Sequence, residues 1–303
     1  MNILLCCRLR VQTMRTAKEL LESRGHRCAL VAWESASYLR ARLHEGGFDT
    51  LLCAETSVLP HRALPVRTVY LAPDYFCTQR FPSGSVSLCL IAHEQLSFDF
   101  ITHGIQDKAV RVCGVPLPQA YRTALPRVDS CRMLGLRETQ PVYLAIGDTV
   151  SLTVLKSFVS AVQSFCPTAQ ILLLGSGEVR RNGWMRAFTA HENVYVSDLQ
   201  SSFPLGLSAC DAVFMPAYPA FVCAAAVHEK PVALLHTASA RAVKNAAFLS
   251  GTDAAFSGKS TADDVSYICR LLDSDRLREN MIRAQRKLIV PDAQTRFLDH
   301  MEA

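Results

Sequence analysis

Five places along the chain carry residues able to bind or activate a substrate through charge and hydrogen bonds. Asp74 follows an apolar run at 66–72 that reads as a buried strand. A carboxylate at a strand end can take a proton as a general base, or can cap a turn. Gly147-Asp148-Thr149 follows a second such run at 142–146. Thr149 and the N–H groups beside it can meet a phosphate, whereas Asp148 would repel one; the alternative is an N-cap for the helix near Ser151. Gly175-Ser176-Gly177 ends another apolar run. A Gly-x-Gly there is a phosphate cradle or a plain tight turn. Arg241 stands at the start of a helical stretch. A guanidinium there grips a phosphate or carboxylate through paired hydrogen bonds, or is simply solvated. Arg8 and Arg10, at the end of the first apolar run, pose the same choice.

Other polar residues offer less. His93 and Glu94 are adjacent, so on a helix their side chains diverge by roughly 100°. That favours a structural histidine over a dyad. His228 and His236 flank a strand-like run and read as surface residues. No ligand spacing suggests a metal, and neither metal nor cofactor is expected. The 12 cysteines are scattered without a CxxC and mostly lie in apolar runs. They read as reduced, buried small hydrophobes.

Composition bounds the class. The chain has 303 residues, half of them apolar and 19% charged, with a formal net charge of +5. That is enough for two domains with real cores. The modest positive charge allows an acidic ligand or an anionic membrane surface and does not call for nucleic acid. The apolar run at 3–7 stops at Arg8, too short for a signal core. No run approaches the roughly 18 apolar residues of a membrane span. A cytoplasmic location is expected.

The elements that must position these residues alternate. Strand-like runs at 2–7, 28–33, 48–53, 66–72, 86–92 and 109–112 are joined by helical spacing at 11–23 and 94–103. Gly25 suits the end of the first helix. Gly114-Val115-Pro116-Leu117-Pro118 breaks the pattern, and Pro126 and a polar helix before Gly135 follow. The pattern then restarts with strands at 142–146, 170–174 and 194–196 and a helix face at Leu152, Leu155, Val159 and Val162. Asp211 to Met215 is a strand, 220–227 a helix with no charge on any face, and 230–235 a strand. The tail is helical, with Val265, Ile268, Leu271 and Leu272 on one face. Such alternation predicts two Rossmann-like α/β domains with mostly parallel sheets, at 1–113 and 114–303.

Several blocks, in order, resemble the diacylglycerol glycosyltransferases, namely monogalactosyldiacylglycerol synthase and the processive diacylglycerol glucosyltransferase. The peptidoglycan N-acetylglucosaminyl transferase is a more distant resemblance. The blocks are Pro73-Asp74-Tyr75-Phe76, Ile91-Ala92-His93-Glu94, Val112-Cys113-Gly114-Val115-Pro116, Leu134-Gly135-Leu136, the segment 211–231, Asn245-Ala246 and Pro291-Asp292-Ala293. The resemblance implies a GT-B fold, with two Rossmann-like domains facing each other across a cleft that keeps water from the donor. It places the donor at Gly147, Thr149, Ala217, Tyr218, Ala220, Phe221, Arg241 and Asn245; Asp74, at a strand end facing that cleft, is the candidate catalytic base. The departures are specific. Cys7-Arg8-Leu9-Arg10 stands where the family has Gly-Gly-Gly-His, and Ala217 and Tyr218 replace its paired glycines. The ribose-binding glutamate falls near Ala224, and the sugar-contacting Gln-Glu pair falls near Arg241 and Ala242. The first domain is also shorter than the family's.

The implied function is transfer of a hexose from a UDP-sugar to a diacylglycerol-type lipid or another hydroxyl acceptor. The alternative is an inactive pseudo-transferase with a binding or regulatory role. Arg8, Arg10, Arg15, Lys18, Arg24, Arg27, Arg40, Arg42, Arg62, Arg67 and Arg80 give the first domain an excess of cations. These either meet anionic head groups at the inner face of a membrane or keep the protein soluble.

Overall fold

The computed structural model describes residues 1–59, 64–77, 79–82, 84–188 and 190–303, leaving out the side chains of 178–181. Arg62, one of the first domain's cations, lies outside the described residues. The chain divides into two compact units, Met1–Leu117 with Val290–Ala303, and Pro118–Ile289.

The first unit runs β1 (Asn2–Cys7), α1 (Val11–Ser23), β2 (Arg27–Ala32), α2 (Ala36–Glu45), β3 (Thr50–Cys53), β4 (Arg67–Leu71), β5 (Leu88–Ile91), α3 (Ser97–Thr102) and β6 (Val110–Val112). Its sheet has the order β2-β1-β3-β4-β5-β6, with every pair parallel. The central strands are unbroken apolar runs because helices and loops cover both faces, whereas edge strand β2 is only half-buried. The stretch read as one helix over 94–103 is a 3₁₀ turn, Glu94–Leu96, leading into α3.

The second unit runs α4 (Arg127–Leu134), β7 (Val142–Ile146), α5 (Leu152–Phe165), β8 (Gln170–Gly175), α6 (Glu178–Phe188), β9 (Val194–Asp198), α7 (Leu199–Ala209), β10 (Ala212–Met215), α8 (Pro219–Val227), β11 (Val232–Leu234), α9 (Ala240–Gly251), α10 (Thr261–Leu272) and α11 (Asp275–Leu288). Its parallel sheet has the order β11-β10-β7-β8-β9. Phe158, Phe214, Tyr143, Trp184, Val265 and Ile268 belong to its core. In α8, residues Val222, Cys223, Ala224, Ala225 and Ala226 are buried, as its uncharged composition predicts.

The last helix, α12 (Ala293–Glu302), belongs to the first unit, whereas the sequence reading counts this tail with the second domain. Its apolar face explains the placement. Phe297, Leu298 and Met301 join Ile3, Leu5, Leu21 and Leu52 in one core, and Arg67 donates to the His300 carbonyl at 2.9 Å. Gly114 packs where an added Cβ would lie 2.6 Å from Val290 Cβ, and its φ is +81°. The backbone conformation and the tail's close approach both call for glycine there.

Candidate functional site

In each sheet the chain leaves a central strand in one direction and resumes on that strand's other side. The reversal falls between β1 and β3 in the first sheet and between β7 and β10 in the second. Loops at the carboxyl ends of strands diverge at such a point and leave room for a ligand. In the second unit, Thr149 follows β7, Tyr218 follows β10, and Thr237 and Arg241 follow β11. These four come together. Thr149 Oγ1 and Tyr218 Oη are 3.0 Å apart. The Thr237 hydroxyl donates to the Thr149 carbonyl at 2.7 Å. The Arg241 guanidinium lies over the Tyr218 ring, 5.0 Å from its centroid, in range of a cation–π attraction. Ser239 caps α9 by accepting the Ala242 N–H at 3.3 Å, so Arg241 stands in the first turn, where the helix dipole favours an anion. The cluster offers hydroxyls and one cation, a set suited to phosphate oxygens.

The glycines here answer to packing. A Cβ on Gly147 or on Gly175 would lie 2.3 Å from the Trp184 indole. The absence of side chains at both positions is what admits that ring. Asp148 accepts the Ser176 N–H at 2.9 Å and its hydroxyl at 2.6 Å, clasping the β7 and β8 loops, and Ser151 caps α5.

The other residues assigned to the donor by resemblance lie on or beside α8 and α9. Ala217 is buried. Ala220 and Phe221 lie in α8, and Phe221 packs edge-on against Phe203 at 4.9 Å and near Tyr121. Asn245 is fully buried on α9, and Ala224, where the resemblance puts a ribose carboxylate, is buried in α8. His228 Nε2 lies 3.1 Å from the Tyr121 carbonyl, and burial lowers its pKa from the usual histidine range.

The reversal point of the first sheet is occupied by the chain itself. Glu55, after β3, accepts the backbone N–H groups of Arg8, Leu9 and Arg10 on one oxygen, at 2.9, 2.6 and 2.8 Å. Arg10 then pairs with buried Asp74 at 2.5 Å. His93 accepts the Gln95 N–H at 3.3 Å and so caps the turn that Glu94 begins. Several of this unit's cations also serve inside it. Lys18 pairs with Glu22 at 2.6 Å, Arg24 pairs with Glu302 at 3.3 Å, and Arg27 donates to the Gly46 carbonyl at 2.8 Å. Arg8, Arg15, Arg40, Arg42 and Arg80 are exposed. Among the described residues, no group of three His, Cys, Asp or Glu is placed to hold a metal ion. None of their helices is long and apolar enough to cross a membrane.

Beside the second site, His236 Nε2 lies 3.1 Å from the Gly258 carbonyl, while the Gly258 N–H donates to buried Asp264 at 2.7 Å. Among the described residues the second oxygen of Asp264 has no hydrogen-bond partner. Burial pushes its pKa from 3.8 up to about 6; the Gly258 N–H and the His236 charge act against the rise, and neighbouring Asp263 adds to it. Between about pH 4 and 6 the folded chain therefore holds a proton that the unfolded chain has released. Stability falls as pH rises through that window. Asp264→Asn is expected to remove this dependence. It should raise stability at pH 7 by on the order of 2 kcal/mol and leave it unchanged near pH 3.5, as measured by urea unfolding at the two pH values. Equal pH profiles for both proteins would refute the assignment.

The sequence alone does not mark Glu55, Trp184 or Thr237. Glu55 works across 45–47 residues of chain and Thr237 across 88, and no local pattern reports such a reach. The signal for Trp184 was present as the pair of glycines, which also read as a phosphate turn.

By sequence, no protein-family model and no curated protein matches the chain. Solved structures do match it. A glycosyltransferase from Rickettsia africae is 11% identical, with 99% of this chain and 96% of that one covered and a TM-score of 0.66. The S. aureus MnaA–UDP complex is 10% identical over 100% and 96%, with a TM-score of 0.72. Anabaena HepE with UDP-glucose is 14% identical over 100% and 99%, with a TM-score of 0.65. At such identities the likeness is one of fold, and with its two parallel α/β sheets this chain has the GT-B glycosyltransferase fold.

Proposed function

We propose that the protein is glycosyltransferase-like and binds a UDP-sugar at the carboxyl edge of its second sheet. The observation that carries this is the convergence of Thr149, Tyr218, Thr237 and Arg241 from three adjacent strands at the reversal point. A diphosphate needs a hydrogen-bond donor and a positive charge; Thr149 and Arg241 supply them, positioned by Thr237 and Tyr218, without a glycine-rich loop. That solved structures of the same fold hold UDP and UDP-glucose supports the same ligand class. The finer proposal is transfer of the hexose to a diacylglycerol-type lipid or another hydroxyl acceptor, with Asp74 as the base and the exposed arginines of the first unit at an anionic membrane surface.

A second reading, binding without transfer, is favoured by one arrangement. The carboxylate proposed as base receives Arg10 at 2.5 Å, and the turn before α1 is filled by Glu55. One experiment separates the readings. Calorimetric titration with UDP-glucose tests the site, and product analysis after incubation with diacylglycerol in micelles tests the transfer. Binding with glycolipid formed supports a transferase, and binding without product supports the second reading. No binding would refute the proposal.

A further inference from the structure

The loops after β7, β10 and β11 are tied to one another through hydroxyl groups. Thr149 Oγ1 lies 3.0 Å from Tyr218 Oη and 3.1 Å from Thr237 Oγ1. Thr237 is held in turn by the Ser239 N–H, which donates to its Oγ1 at 3.2 Å. Thr149 has a φ of +66°, the left-handed region that a β-branched side chain disfavours. Such a conformation persists where its surroundings impose it, and it collects at ligand clamps. Trp184 fills the space beside Gly147 and Gly175, whereas the Thr149 hydroxyl bond runs to the β10 side. Tyr218 stands on that side in two capacities. Its hydroxyl meets Thr149, and its ring carries the Arg241 guanidinium.

Resting on the assignment of a UDP-sugar to this edge, we propose that Tyr218 sets the affinity of the nucleotide crevice. Its hydroxyl latches the β7 loop to the β10 loop, and the diphosphate enters by replacing the Thr149–Tyr218 bond with its own oxygens. The hydroxyl and the ring then act in opposite senses. The hydroxyl holds the crevice closed, and an apparent affinity falls with the fraction of molecules that are closed. The ring orients the guanidinium that the diphosphate meets. The Thr149 hydroxyl, once released, becomes a donor to a phosphate oxygen.

Titration of UDP into the intact protein and three variants tests this, with a thermal melt of each to verify folding. Tyr218→Phe keeps the ring and removes the latch, and is expected to bind UDP about two- to tenfold tighter than the parent. Thr237→Val, which removes the other hydroxyl bonds to Thr149, shifts affinity in the same direction. Tyr218→Ala loses the ring as well and binds severalfold more weakly than Tyr218→Phe. A parent that binds UDP beside a Tyr218→Phe protein of equal or weaker affinity overturns the latch and leaves the site assignment standing. UDP binding by neither protein overturns both.

Discussion

Truncating Trp184 to alanine is expected to lower the stability of the second unit by about 3–5 kcal/mol, and its melting temperature by roughly 10 °C. The indole is 5% exposed and lies in the core with Phe158, Phe214 and Phe188. The magnitude depends on how far the site can collapse. Gly147 and Gly175 face the ring directly, and neither has a side chain to move into the vacated volume. The cavity therefore persists, which puts the loss at the upper end for an aromatic truncation. Trp184→Phe, which retains much of the volume, should recover more than half. Thermal and urea unfolding read the effect. A loss below about 1 kcal/mol would mean that the two glycines are not held for the ring.

The second large effect is expected at Arg127. Its guanidinium pairs with both oxygens of Asp211, at 2.9 and 3.1 Å, and donates to the carbonyls of Ala209 at 2.6 Å and Gln140 at 3.0 Å. Asp211 also accepts the Val142 N–H at 2.8 Å. One side chain thus joins α4 to the starts of β7 and β10. Arg127→Ala strands two carbonyls and a carboxylate at once. Partial exposure of the pair, about a third of each side chain, lets water relieve some of the penalty. The net loss is about 3 kcal/mol. Arg127→Lys should restore less than half, because an ammonium cannot make the forked contact. Equal stability of the alanine variant and the parent in urea would contradict this account.

What the sequence discloses is what is local. The buried strands announce themselves as apolar runs because parallel sheets are covered on both faces, and β1, α1 and β7 fall at the residues read for them. Helix α2 leaves little trace, since only Leu39 and Leu43 of its ten residues are buried. Helix α7 is masked by Pro204 and by Gly206, which lets the helix approach Leu144 and Leu172 closely. In the site, Arg241 and Thr149 are legible because each follows a recognisable strand. Tyr218 stands out as a substituted glycine position. Its hydroxyl bond to Thr149 spans 69 residues and follows only from the strand order. Arg10 and Asp74 are both legible as charged residues at strand ends, and their pairing across 64 residues is not.

Isothermal titration of UDP into the parent protein and Arg241→Ala tests the central claim most directly. If the second sheet's reversal point is the nucleotide site, the parent binds UDP saturably. Loss of the guanidinium then weakens binding by about 1.5–3 kcal/mol, roughly 10- to 150-fold, while the melting temperature without ligand stays close to the parent's. A parent that does not bind UDP, or an Arg241→Ala protein that binds it as tightly as the parent, would contradict the claim.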